Sequence, residues 1–273
     1  MIMDDLIICV APYPSEKQKE KFHGKMDIVQ EVVSCCNAGA SLAHLHVRNP
    51  EGLQTTDTHW FQSDIEKIHT ACPIIIEGST GGMPEHTLAE RCVSFTVPGV
   101  EMGSLNLGST NMYDGVFCNK VADIYYYAGK LKKRNLVPFC DLFDLSHFSC
   151  LERLEKDKLI SPPYTIALIF DYPDTLIYKE KYLDFYLTEL PKGSNWFLTR
   201  PHAKGAEYFI KAIEMGGHVR VGYEDGPFLS NGRRARSNAE LVEEVVKLAQ
   251  KVGRKVADSA KAREIMGIKK PKF

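Results

Sequence analysis

No run in this chain approaches the roughly 20 consecutive apolar residues needed to cross a bilayer. An excess of either charge is also missing: 34 Lys and Arg stand against 35 Asp and Glu, a formal net charge of −1. That balance argues against nucleic acid or an anionic membrane as the partner and leaves small molecules. The eight cysteines contain no CxxC pair, and only Cys35 and Cys36 are adjacent. A disulfide framework is therefore not expected; reduced, mostly buried thiols in a cytoplasmic protein are. The opening Met1-Ile2-Met3-Asp4-Asp5 lacks the basic start and long apolar core of a secretory signal, which fits the same expectation. Internal repeats, low-complexity tracts and linkers are absent as well, so residues 1–273 are read as one domain.

What is present is a regular alternation of short apolar runs and longer amphipathic ones. Residues 6–10, 42–47, 73–77, 99–105, 136–142, 164–170, 196–199 and 218–222 read as strands. Between and after them, residues 27–37, 64–71, 84–94, 120–133, 144–156, 178–189, 206–214 and 238–252 read as helices, with a short tail helix at 259–265. The three successive isoleucines at 74–76 are the continuous apolar run of a strand buried on both faces. Leu241, Val245, Leu248 and Val252 fall on one helical face. Parallel neighbours need a crossover helix, and eight strand–helix pairs are the number that closes a barrel. An open doubly wound sheet would share the alternation, but no GxGxxG fingerprint follows the first strand. The expected fold is an α/β (β/α)8 TIM barrel with an extra C-terminal helix.

In such a barrel the chemistry gathers at the C-terminal ends of the strands. His44 and His46, two residues apart in an apolar run, project from one face of the second strand. Glu224 lies just past the eighth strand, which in a closed barrel is separated from the second only by the first. Two His and one Glu with an open position form a common catalytic zinc arrangement. The alternative is a pair of hydrogen-bonded core histidines. His218 is a weaker ligand candidate because it starts its strand at the opposite end, while His59, His69, His86 and His147 are expected to be surface or capping residues. Arg220 and Asp225 flank Glu224, either as a structural charge pair or as a general base with its partner. Ser79-Thr80-Gly81-Gly82, ahead of a helix, offers amides and hydroxyls to a carboxylate or phosphate. Ser104 and Asn106, at two-residue spacing, either face the mouth or satisfy the core.

Together these stretches resemble the zinc-dependent β-keto acid cleavage enzymes. The likeness runs in order through Ala38-Gly39-Ala40, His44-Leu45-His46-Val47-Arg48, Ser79 to Gly82, Ser104-Leu105-Asn106 and Leu190 to Trp196. It continues through Gly216 to Asp225, Ser237 to Val242 and Ala262 to Gly267. The resemblance implies Zn2+ held by His44, His46 and Glu224, and a β-keto acid held by Ser79, Gly82, Ser104 and Asn106. It also implies proton abstraction by Asp225 helped by Arg220. The implied reaction joins a β-keto acid with acetyl-CoA and yields acetoacetate and a new acyl-CoA, by way of an enolate stabilised by a Lewis acid and a retro-Claisen step. A homo-oligomer is implied too.

Three loops depart from the family pattern. The first, Ala11 to Glu16, differs from an opening whose acidic residue contacts a substrate amine; Glu16 is the candidate counterpart. Thr199-Arg200-Pro201-His202 replaces a glycine-containing stretch, and Arg200 and His202 are candidates for an anionic tail or the CoA phosphates. Gly226-Pro227-Phe228 follows the acidic pair in place of more usual residues. Two other function classes stand beside this one. An amidohydrolase-type metal hydrolase also uses HxH on a barrel strand, but on the first strand with further His later, and the fifth and sixth strands here contain none. A non-catalytic, ligand-binding barrel is the other.

Overall fold

Apolar runs rich in Ile, Val and Leu supply eight strands in the computed structural model, which describes residues 3–14, 26–83, 85–200 and 207–269. They are β1 (Ile8–Val10), β2 (Leu42–Leu45), β3 (Ile75–Gly78), β4 (Val100–Asn106), β5 (Val137–Leu142), β6 (Tyr164–Ile169), β7 (Ser194–Thr199) and β8 (His218–Val221). Each pairs in parallel with its sequence neighbours, and β1 pairs with β8, so the sheet closes into a barrel. The outer helices are α1 (Ile28–Ala38), α2 (His59–Ala71), α3 (Leu88–Arg91), α4 (Val121–Arg134), α5 (Phe148–Lys156), α6 (Glu180–Glu189), α7 (Glu207–Glu214) and α8 (Asn238–Val252). A last helix, α9 (Ser259–Met266), follows. The fold is the expected (β/α)8 barrel.

Strand alternation sorts the apolar residues into two cores. Outward-facing Ile8, Val10, Ile74, Ile76, Leu105 and Leu168 pack against the helices. Inward-facing Ile7, Leu42, Ile75, Met102, Phe139 and Phe197 fill the lower barrel. The Phe139 and Phe197 rings meet edge-to-face with centroids 4.9 Å apart. Ala262 and Met266 of α9 join this inner core, so the tail helix plugs the N-terminal end of the barrel. Polar bonds hold α9 there: Arg263 pairs with both carboxylate oxygens of the buried Glu101 of β4 and donates to the Pro73 carbonyl at 3.0 Å, and Asn195 Nδ2 donates to the Ile265 carbonyl at 3.0 Å. The opposite end is left for the polar site.

Local chemistry moves several boundaries from those expected. The helix expected at 84–94 shrinks to α3, because Thr87 and Glu90 form a reciprocal capping box that sets its start; a 3-10 turn, Val93–Thr96, follows. Pro84, read as the opener, lies outside the described residues. α2 starts five residues earlier than expected, after Asp57 Oδ1 accepts the amide of His59. Asp144 caps a 3-10 turn, Leu145–His147, before α5 begins. An unexpected antiparallel hairpin, Thr110–Met112 with Gly115–Phe117, rises between β4 and α4.

Candidate active site and metal centre

β2 aims His44 and His46 into the upper barrel, with ring centroids 5.1 Å apart and planes at 79°. Glu224 reaches them from the turn after β8. That turn depends on Gly222, at φ 142°, where a Cβ would stand 2.2 Å from the Ala11 carbonyl oxygen. The close approach lets the Glu224 amide donate to the same carbonyl at 3.2 Å, tying the turn to the end of β1. The Glu224 carboxylate then lies 3.6 Å from His44 Nε2 and 3.4 Å from His46 Nε2. One ligand atom from each residue falls within 4.8 Å of the others, an arrangement able to hold a metal ion. Glu224 Oε2 is buried without a hydrogen-bond partner, as a carboxylate oxygen reserved for a cation would be. Burial also pushes the His46 pKa down, favouring the neutral imidazole that ligates metals.

The ring of His44 is oriented from behind. Its Nδ1 lies 3.0 Å from Oε2 of Glu77, a fully buried carboxylate directly across the β2–β3 ladder. Burial works against a charged His44, but the fields of Glu77 and Glu224 outweigh it and raise its pKa. Such a carboxylate–histidine arrangement fixes the tautomer and makes the other nitrogen a better ligand.

Arg220, on β8 and 5% exposed, joins the ligand cluster to a possible base. Its Nη2 donates to Glu224 Oε1 at 2.8 Å, and its Nε donates to Asp225 Oδ2 at 3.0 Å. The Tyr172 hydroxyl adds a bond to Asp225 Oδ1 at 2.9 Å. Burial raises the Asp225 pKa in spite of Arg220, because Glu224 also repels a second negative charge. A carboxylate so raised is a stronger proton acceptor than a solvated one. Glu224 itself is held well below the usual carboxylate range: the two imidazoles and Arg220 overcome its burial.

A cavity of about 180 Å³ opens in front of these groups. Ser79, Ser104 and Asn106 line it. The same hydroxyls also brace the β3–α3 turn: Ser104 Oγ accepts the Thr80 amide at 2.8 Å, and Asn106 Nδ2 donates to Thr80 Oγ1 at 3.3 Å. Both readings of this pair, mouth-facing and core-satisfying, hold together. Gly81 lines the cavity and Gly82 does not. A Cβ on Gly81 would come 2.9 Å from His46 Cε1, whereas Gly82 backs onto the Arg91 side chain.

A family model described as beta-keto acid cleavage enzyme matches residues 5–268. The chain belongs to the β-keto acid cleavage enzyme family. Among its relatives is the 3-keto-5-aminohexanoate cleavage enzyme of Acetoanaerobium sticklandii, 36% identical over 98% of this chain and 100% of that protein. The 3-oxoadipate:acetyl-CoA acetyltransferase of Cupriavidus necator is 29% identical over 88% of this chain and 85% of its own length. A solved structure described as a ternary complex of ObcA with C4-CoA adduct and oxalate superposes with a TM-score of 0.71. It is 16% identical, covers 88% of this chain and 66% of its own, and supports the barrel fold alone.

For this family member the other expected residues divide cleanly. His218 sits at the plugged end, where its Nδ1 accepts the Ile7 amide at 3.0 Å, and it is no ligand. His59 is exposed. His69 and His86 bond to nearby backbone groups, as capping residues do. His147 is the N-cap residue of α5 and is buried, with its Nδ1 accepting the Phe143 amide at 3.3 Å, so it too is a capping residue rather than a surface one. Arg200 is engaged by Asp171 at 2.5 Å and lies 4.2 Å from each of the Tyr178 and Tyr208 rings. Glu16, Pro201 and His202 lie outside the described residues. Sequence reading missed Glu77, Asp141 and Tyr172. A lone acid inside an apolar strand was the available signal for the first two; Tyr172, on a loop, carried none. Asp141 lines the cavity with its carboxyl pushed up to about 7, chiefly by burial and by Glu77.

Proposed function

We propose that this protein is a zinc-dependent β-keto acid:acetyl-CoA acyltransferase working as one barrel domain. The observation that carries the reading is the continuity of the two halves of the site. A single arginine, Arg220, bonds both the ligand carboxylate Glu224 and the candidate base Asp225. His44, His46 and Glu224 would hold the metal, and the buried Glu224 Oε2, which faces His46 Nε2 at 3.4 Å without forming a hydrogen bond, fits a cation there. When bound, the ion supplies Lewis acidity where the keto oxygen of the substrate gains negative charge.

The residues of the chain do the rest. Ser79, Ser104 and Asn106 present hydroxyls and a carboxamide to the acid; Gly81 lines the cavity beside them, and Gly82 supports this turn from outside it. Asp225 accepts a C2 proton, with Arg220 and Tyr172 fixing both of its oxygens. The exchange converts R–CO–CH2–COO⁻ and acetyl-CoA into R–CO–SCoA and acetoacetate. One proton leaves C2 and one returns to acetoacetate, so Asp225 ends as it began. Tyr172 is kept protonated by burial and by Asp225, which makes it a lasting donor. Among the described residues no helix is long and apolar enough to cross a membrane; we read the enzyme as cytoplasmic. A homo-oligomer, with the outer helices as its contact surface, completes the reading, and sedimentation velocity tests it.

The deciding experiment incubates zinc-loaded protein with a panel of β-keto acids and follows acetoacetate with and without acetyl-CoA. Formation only with acetyl-CoA, lost together with bound zinc in a His44→Ala/His46→Ala double variant, is the expected result. Zinc retained by the double variant, or CoA-independent turnover, would defeat it.

A further inference from the structure

The wall of the cavity facing the ligand cluster is built from carbon. Tyr113 and Phe117 come from the hairpin, Phe143 from just beyond β5, and Tyr172 from just beyond β6, and all four line the cavity. They form a connected arc: Tyr113 to Tyr172 at 6.2 Å, Tyr172 to Phe143 at 6.1 Å, and Phe143 to Phe117 at 6.2 Å between centroids. Every step is edge-to-face, the geometry that locks aromatic rings against one another. Met112 and Ile169 extend the surface with aliphatic atoms. The hairpin that carries half the arc is pinned across the mouth, with the Asp114 amide donating to Asp174 Oδ2 at 3.0 Å and the Tyr113 amide to the Pro173 carbonyl at 3.3 Å.

We propose that this arc makes the enzyme favour β-keto acids whose substituent on the keto carbon is short and apolar over those that carry a second carboxylate there. The inference rests on the acyltransferase reading, which places the keto acid at the ligand cluster and directs its remaining carbons to the arc. Shape and charge both lead there. The cavity of about 180 Å³ is close in size to the roughly 150 Å³ hole that accommodates one benzene, so a short substituent fills it and a longer chain must press past the hairpin toward the open mouth. Among the described lining residues Arg220 is the one Lys or Arg, and Asp225 and Glu224 already occupy it. Arg91 lies 5.8 Å from the Phe117 ring but is committed to the Thr80 carbonyl and Asn119. Arg200 is committed to Asp171. Against these described residues a second carboxylate would lose its hydration to rings and meet no uncommitted cation. An ammonium is a different case, because ring faces and the carboxyl of Asp141, which lines the same cavity, attract it.

The test compares two acids as substrates with acetyl-CoA: 3-oxohexanoate and 3-oxoadipate. The first is expected to exceed the dicarboxylic one in kcat/KM by about 100-fold, the scale set by burying an unanswered charge. Tyr113 already has a left-handed backbone, φ 52°, which glycine adopts freely, so Tyr113→Gly keeps the turn while opening the arc. That variant is expected to improve 3-oxodecanoate relative to 3-oxohexanoate by about tenfold. Equal or better turnover of 3-oxoadipate overturns the proposal, as does an unchanged chain-length ranking in Tyr113→Gly. Exchange of labelled acetyl groups between acetyl-CoA and acetoacetate needs no substituent at the arc. Its presence keeps the acyltransferase reading standing whatever the panel shows, and its absence defeats that reading and the selectivity together.

Discussion

Glu77 shows how much a residue that touches no substrate can govern. It is buried, stands 3.0 Å from the ring nitrogen of His44 that faces away from Glu224, and lies in register with His44 across β2 and β3. Glu77→Gln is expected to weaken zinc binding by about 10–100-fold, measured by chelator competition. Asp225 is placed for a different task, held by Arg220 and Tyr172 rather than by the imidazoles. Asp225→Asn should lower kcat by about 10²- to 10⁴-fold while the zinc content stays at one ion per chain. A third residue sets acid stability. Burial and the charge of Arg254 push the His218 pKa down to about 3, against an ordinary value of 6.5. The folded state therefore favours neutral His218, and its contribution is complete above about pH 6.5 and is lost as pH falls toward 3. In that window His218 should give a slope of about 1.4 kcal/mol per pH unit. His218→Asn keeps an acceptor for the Ile7 amide, and its urea midpoint should fall less between pH 7 and pH 5 than that of the unaltered protein.

Among the elements, α9 and the hairpin close opposite ends of the barrel. α9 is short, and its attachment depends on Arg263 meeting a carboxylate, Glu101, that is 2% exposed. Arg263→Ala leaves that charge buried and unanswered, and should destabilise the fold by about 3–5 kcal/mol in chemical denaturation. The hairpin works at the mouth. Its strands are three residues each and two of its turn residues, Tyr113 and Asp114, adopt left-handed backbone. Such a segment has little stability alone and owes its position to contacts with the β6–α6 loop. The interior of this barrel is thus apolar packing below, a charged layer in the middle and an aromatic wall above.

At the scale of the whole molecule, binding a metal that only the folded state can hold must add stability. At a free zinc concentration 100 times Kd the gain is about 2.7 kcal/mol. Chelation should therefore lower the midpoint of thermal unfolding, and the His44→Ala/His46→Ala double variant should no longer respond to zinc or chelator. A shift that persists in the double variant would place the stabilising metal elsewhere.

Much of this protein was legible in its sequence because it is written in local periodicity. The isoleucine run at 74–76, the His44-Leu45-His46 alternation and the amphipathic face of α8 each encode their element and its buried side within a few residues. Counting eight such units was enough to expect a closed barrel, and closure was enough to bring Glu224 toward the histidines. Helix ends were less legible, since a few local capping bonds at Thr87, Asp57 and Asp144 decided them. What only the tertiary structure decided are relations between residues far apart in the chain. These are the pairing of Glu77 with His44, the joining of Tyr172 to Asp225, the placement of Gly81 rather than Gly82 on the cavity wall, and the four-ring arc drawn from three separate segments. The physical reason is the same in each case. A strand's face follows from its own alternation, but the neighbour it meets depends on register and loop path, which are set when the barrel closes.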